Sequence, residues 1–179
     1  ASGSTSSDSN GSITSTISAN TTAGFSIVTY TGTGSNATVG HGLGAVPQMI
    51  IVKNRDGGTD NWAVYHEELG KAKWLKLNTT DASATDTVMW NDTTPTSSVF
   101  SVGTYTNSNG NTNGMLAYCF ANVKGYSKFG KYIGNGSANG TLIYTGFKPA
   151  WVMIKNNSSS GSWYVYDSTR SPFNEVDDQ

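Results

Sequence analysis

The residues of this chain equipped for chemistry are few: two histidines, one cysteine, twelve carboxylates and five tryptophans in 179 residues. His41 stands in His41-Gly42-Leu43-Gly44, an imidazole flanked by glycines as in a catalytic loop. His66 precedes Glu67 and Glu68, a base beside two carboxylates. Cys119 is the sole thiol. Asp56-Gly57-Gly58-Thr59-Asp60 puts two acidic side chains in one turn, where a calcium ion could draw on them with partners from elsewhere. Trp62, Trp74, Trp90, Trp151 and Trp163, with nine tyrosines, could form a platform for sugar rings.

Each candidate also has a plainer reading. Met115-Leu116-Ala117-Tyr118-Cys119-Phe120 is apolar, so the thiol belongs to a strand core and lacks the electropositive, partly exposed setting that activates a cysteine. The Asp56–Asp60 segment reads as a turn, and His66 with its glutamates as a cluster at a strand end. Two histidines and one cysteine match no metal-site spacing. No Gly-x-Ser-x-Gly elbow and no phosphate-binding Gly-x-x-x-x-Gly-Lys-Ser/Thr occurs, and Gly32-x-Gly34 and Gly134-x-Gly136 open no helix. Neither a catalytic residue nor a metal or cofactor is expected.

The elements that would position these residues are written twice. Gly24-Phe25-Ser26-Ile27-Val28-Thr29-Tyr30-Thr31-Gly32 returns as Gly125-Tyr126-Ser127-Lys128-Phe129-Gly130-Lys131-Tyr132-Ile133-Gly134. Pro47-Gln48-Met49-Ile50-Ile51-Val52-Lys53-Asn54 returns as Pro149-Ala150-Trp151-Val152-Met153-Ile154-Lys155-Asn156, and Trp62-Ala63-Val64-Tyr65 as Trp163-Tyr164-Val165-Tyr166. A period near 100 residues is too long for a solenoid and suits two small domains in tandem. Within the chain the repeat acts as a control. His41 faces Tyr144-Thr145-Gly146-Phe147 in the second copy, so the scaffold requires no histidine there, and a structural, hydrogen-bonding role fits it best. Trp62 and Trp163 share one position and read as core anchors. The unpaired Trp74 and Trp90 are the ligand-contact candidates.

Ser, Thr, Asn and Gly make up 84 of the 179 residues, and Leu is scarce. Such a chain favours turns and β-branched strands over helices. Strand patterns run through Ile13–Ile17, Phe25–Tyr30, Met49–Val52, Trp62–His66, Ser98–Gly103 and Met115–Phe120, with one helical turn expected near Glu67 before Trp74–Leu77 extends. Two Asn-Gly steps between Asn107 and Gly114 predict a hairpin from the Ser98–Gly103 strand into Met115–Phe120. The expected fold is all-β: a flexible lead-in over 1–11, a β-sandwich repeat over 12–122 of jelly-roll or immunoglobulin type, and a partial second repeat over 123–179. Half a sandwich cannot bury both sheet faces, so residues elsewhere or another chain are expected to complete it. The formal charge of -1 offers no basic field for nucleic acid, and no run of about 18 apolar residues suggests membrane insertion.

The run from Gly24 to Asn54, above all His41-Gly42-Leu43-Gly44-x-x-Pro47 followed by an apolar strand and Lys53, resembles a module of tail-fibre and related virion proteins of bacteriophages, especially marine ones. Ala117-Tyr118-Cys119-Phe120-Ala121 leading into Gly125–Gly130, and Arg170-Ser171-Pro172-Phe173-Asn174, resemble the same group. The likeness spans about residues 12–179. It implies a virion surface protein made in the host bacterial cytoplasm, a fibre or receptor-binding component that is often trimeric and needs no cofactor. Its partners would be other virion subunits and a host surface glycan or protein. A carbohydrate-binding or adhesin module and a capsid decoration protein are the alternatives. A depolymerase is the least supported, since no paired carboxylates stand out.

Overall fold

The computed structural model describes residues 3–170; Ser171, Pro172, Phe173 and Asn174 of the phage-like motif, with the rest of the C-terminus, lie outside them. Twelve strands form among these residues: β1 (Ser6–Asp8), β2 (Ser15–Asn20), β3 (Phe25–Thr31), β4 (Ala37–Gly40), β5 (Met49–Asn54), β6 (Ala63–His66), β7 (Lys73–Lys76), β8 (Ala84–Thr85), β9 (Val99–Val102), β10 (Gly114–Phe120), β11 (Trp151–Lys155) and β12 (Trp163–Asp167). The fold is all-β and antiparallel. One eight-stranded sheet has the order β1-β2-β3-β10-β5-β6-β7-β8, and β4 with β9 makes a separate pair.

Alternation along the strands gives this sheet two apolar faces. Val28, Tyr30, Ile50, Val52, Ala63, Tyr65, Trp74, Met115, Ala117 and Cys119 point to one side, here the upper face, and the β4–β9 pair covers them with Val39, Phe100 and Val102. Met49, Ile51, Val64 and Leu75 point to the lower face. The central β5 is therefore buried on both sides, which explains its unbroken run Met49-Ile50-Ile51-Val52.

Two expectations need correction. The lead-in is not wholly free: Ser6–Asp8 pairs with β2 as an edge strand, Ser6 opposite Ile17, and Asp8 is buried. The Asn-Gly steps make no hairpin, because β9 and β10 lie in different layers. The segment between them instead turns through a short helix, α1 (Thr106–Asn109), with Gly110 at φ -55° where a hairpin turn of this kind would need a positive value. Asn109 is buried as a strut, its Nδ2 donating to the carbonyls of Ser35 at 2.7 Å and Gly103 at 2.8 Å while its Oδ1 accepts from Thr33 N at 2.8 Å. The second repeat contributes one two-stranded sheet among the described residues. Its β11–β12 hairpin lies against the lower face, where Met153 and Trp163 join the Met49, Ile51, Val64 and Leu75 cluster.

Candidate functional site

The groups with reactive potential are spent on the framework. His41 is fully buried at the end of β4; its Nδ1 accepts from Leu43 N at 3.2 Å and its Nε2 donates to the Thr96 carbonyl at 3.2 Å. Burial holds its pKa below the usual histidine range, with the Thr96 carbonyl and Asp8 opposing. A neutral ring with both nitrogens engaged has nothing to offer a substrate. Cys119 faces the upper core, and burial pushes its thiol well above the ordinary range. Tyr30 is likewise raised by burial, its hydroxyl donating to Ser108 O at 2.6 Å. Tyr65 is pushed up to about 12 by burial, with Glu67 adding. His66 caps the 3-10 turn Glu67–Leu69 by accepting from Glu68 N at 3.2 Å, and burial lowers its pKa.

The acidic turn is also structural. Asp56 Oδ2 accepts from Gly114 N at 2.6 Å and Asp60 Oδ2 from Asn54 Nδ2 at 2.8 Å, tying the β5–β6 loop to the start of β10 and to β5. Trp74 and Trp90, the two ligand candidates, require correction. They are 4% and 2% exposed, and Trp90 donates its Nε1 to Lys73 O at 3.1 Å while meeting Tyr65 edge-on at 5.8 Å. Neither presents a ring face to a sugar. They bury because β6–β7 and the Met89–Trp90 turn close the end of the upper core.

The surface that remains available belongs to the second repeat. Its hairpin copies the β5–β6 hairpin in register: Met49 faces His66 and Ile51 faces Val64, while Trp151 faces Asp167 and Met153 faces Val165. The hydrogen bonds repeat as well. Glu67 N donates to Gln48 O at 2.8 Å and Ser168 N to Ala150 O at 2.9 Å. Asn54 Oδ1 accepts from Asp56 N at 3.2 Å and Asn156 Oδ1 from Ser158 N at 2.9 Å. Lys53 Nζ donates to the Asp60 carbonyl and Lys155 Nζ to that of Gly161. Gly44 and Gly146 hold the same left-handed turn, φ 68° and 84°, before the paired prolines.

The two copies differ in what covers them. Ile50, Val52, Ala63 and Tyr65 are at most 1% exposed, whereas two of their counterparts, Val152 and Tyr164, are 36% and 52% exposed. By alternation Val152, Ile154, Tyr164 and Tyr166 share the outer side of the hairpin, opposite Met153 and Trp163. The Tyr164 and Tyr166 rings are nearly parallel, 6° apart at 6.5 Å. Of the thirteen large apolar side chains exposed among the described residues, ten lie between Tyr126 and Val165. The outer hairpin face was missed in the sequence, although the repeat register itself pairs these residues with a buried set. Where the copies join, Phe25, Phe120, Tyr126 and Phe129 line a shallow depression of about 360 Å³, with Phe25 and Phe120 rings 4.9 Å apart.

One family profile matches residues 1–179, the length of the chain. The chain belongs to the DUF7483 family, described as a domain of unknown function. No match was found among the curated proteins or among the solved structures. In this DUF7483 domain no group of three or more His, Cys, Asp or Glu side chains converges to hold a metal among the described residues, and no helix of theirs is long and apolar enough to cross a membrane.

Proposed function

We propose that this DUF7483 domain is a non-enzymatic structural protein of a bacteriophage virion, a tail-fibre or receptor-binding component that meets the host surface. The observation that carries the reading is the division of labour between the repeats. The first copy buries His41, Cys119 and the Asn54 and Asn109 amides in the framework, and the second leaves aromatic and apolar side chains exposed, among them Trp151, Val152, Tyr164 and Val165. Monomeric proteins rarely expose contiguous apolar surface of this kind unless it is an interaction site. The phage-like sequence runs supply the setting, with other virion subunits as partners, a trimer as the expected oligomer and no cofactor.

Antibody labelling of phage particles, together with competition of host adsorption by the purified chain, tests this. Label on tail fibres and slower adsorption support it; label on the capsid alone would move the chain to the decoration class, and cleavage of host polysaccharide by the purified chain would overturn the non-enzymatic reading. One observation favours the carbohydrate-binding alternative: the parallel, outward-facing Tyr164 and Tyr166 rings. On a glycan array that reading expects binding that disappears in Tyr164→Ala.

A further inference from the structure

An asparagine followed by glycine can be attacked by its own backbone. The glycine amide nitrogen adds to the asparagine Cγ, an N–Cγ bond forms, and the Cγ–Nδ2 bond breaks with loss of ammonia, which carries off the glycine amide proton. Water then opens the cyclic imide at either carbonyl. The product is aspartate or, where the main chain now runs through the side chain, isoaspartate. No enzyme or cofactor is required, only a side chain free to swing and a glycine peptide free to rotate towards it. This chain contains five such steps, at Asn10, Asn109, Asn113, Asn135 and Asn139.

The fold clamps three of them. Asn109 is fully buried, and losing its Nδ2 as ammonia would strip the Ser35 and Gly103 carbonyls of their donor. At Asn113 the side chain donates to Asn54 Oδ1 at 3.1 Å, and the glycine beyond it is tied at both ends: Gly114 N donates to Asp56 Oδ2 at 2.6 Å, and Gly114 O accepts from Arg55 N at 2.9 Å. Asn10 Nδ2 donates to Asp8 Oδ1 at 2.8 Å, and Gly11 lies so close to the Thr38 carbonyl that a Cβ on it would collide with that backbone. In each case the attack would first have to break packing or hydrogen bonds.

Asn135 and Asn139 lie under no such restraint. Both asparagines and their glycines are exposed, and a Cβ added at Gly136 or Gly140 would meet no atom within 4 Å. Asn135 Oδ1 accepts from Ser137 N at 3.1 Å, which sets an N–H donor on the oxygen that gains charge as the glycine nitrogen adds. The bond made by its departing nitrogen, to Asn139 O at 3.0 Å, is exposed, so water takes its place. We propose that Asn135 and Asn139 are self-modification sites: in the folded domain these two deamidate through the cyclic imide while Asn10, Asn109 and Asn113 are preserved. The change has electrostatic weight. From Thr93 to Tyr166 the chain carries five lysines and no aspartate or glutamate, so the two new carboxylates enter a segment that is otherwise purely basic. The domain thus becomes two units more negative than its formal charge of -1. This inference stands or falls independently of the virion reading.

The test incubates the intact folded chain at mildly alkaline pH, where the amide nitrogen is the better nucleophile, with the chain in concentrated urea as control. Peptide mapping by mass spectrometry follows the five sites through the mass gain of deamidation and separates aspartate from isoaspartate. In the folded chain both products should accumulate at Asn135 and Asn139 about tenfold faster or more than at the three clamped sites, which wait for local opening. In urea the five rates should converge. Isoelectric focusing should show two successive acidic steps that the double variant Asn135→Gln, Asn139→Gln abolishes; a circular dichroism spectrum equal to the parent's certifies that this variant folds. Comparable rates at all five sites in the folded chain, or no reaction at Asn135 and Asn139 while the unfolded chain reacts, would overturn the proposal. So would acidic steps that persist in the double variant.

Discussion

His41 and His66 are both held below the usual histidine range, chiefly by burial. In the unfolded chain each would titrate near 6.5. Above that pH neither state carries the proton, and the stability due to a neutral ring is fully present. As pH falls through and below about 6.5 the unfolded chain takes up protons that the fold refuses, so stability declines, by up to about 1.4 kcal/mol per pH unit for the fully buried His41. Urea midpoints should therefore drop between about pH 7.5 and pH 5.5, and His41→Gln should flatten that drop; an unaltered slope in the variant would assign the acid sensitivity to other groups. The tryptophans separate in the same way. Trp90→Phe loses the bond to the Lys73 carbonyl, whereas Trp74 Nε1 is buried with no acceptor, so Trp74→Phe gives up no hydrogen bond. Trp90→Phe should be the more destabilising by about 1 kcal/mol in chemical denaturation. At this scale the structural role of His41 could be read from the sequence, because the second copy manages without it. The burial of Trp74 and Trp90 could not, since a tryptophan outside any regular alternation carries no mark of which side it faces.

Elements built by apolar period were legible, and those built by side-chain hydrogen bonds were not. The run Met49–Val52 announces a strand covered on both faces, and the helical turn at Glu67–Leu69 before Lys73–Lys76 follows the expected order. The crossover from β9 to β10 was misread because its Asn-Gly chemistry is local. What decides its path is Asn109 bracing the Thr33–Ser35 loop and Ser108 Oγ donating to Met89 O at 2.9 Å, contacts made across long stretches of sequence. That crossover also presses Gly103 against its neighbour: a Cβ there would run into the Val88 carbonyl, which is backbone and cannot step aside. Gly134, by contrast, stands in open space. Gly103→Ala should cost about 2–3 kcal/mol and Gly134→Ala less than about 1 kcal/mol. Thermal denaturation of the pair checks this, and similar values for both would mean that the crossover yields easily.

Over the whole molecule the second repeat behaves as a cover for the first. Trp163→Ala would remove both its bond to Lys76 and its contact with the lower-face cluster, so the β11–β12 amides should exchange about tenfold faster while those of β3 and β10 keep their protection. Uniform acceleration across the molecule would mean that the hairpin is integral to the main sheet's stability. The repeat in the sequence announced a second unit, but gave no sign that Met153 would meet the face that carries Ile51, because lower-face residues such as these look no different from upper-face ones until a partner is chosen. That meeting is lopsided: Met153 and Trp163 reach the Met49, Ile51, Val64 and Leu75 cluster, while Trp151 and Val165, on the same side of the hairpin, stay 56% and 42% exposed, so the hairpin is held at its Lys155–Trp163 end.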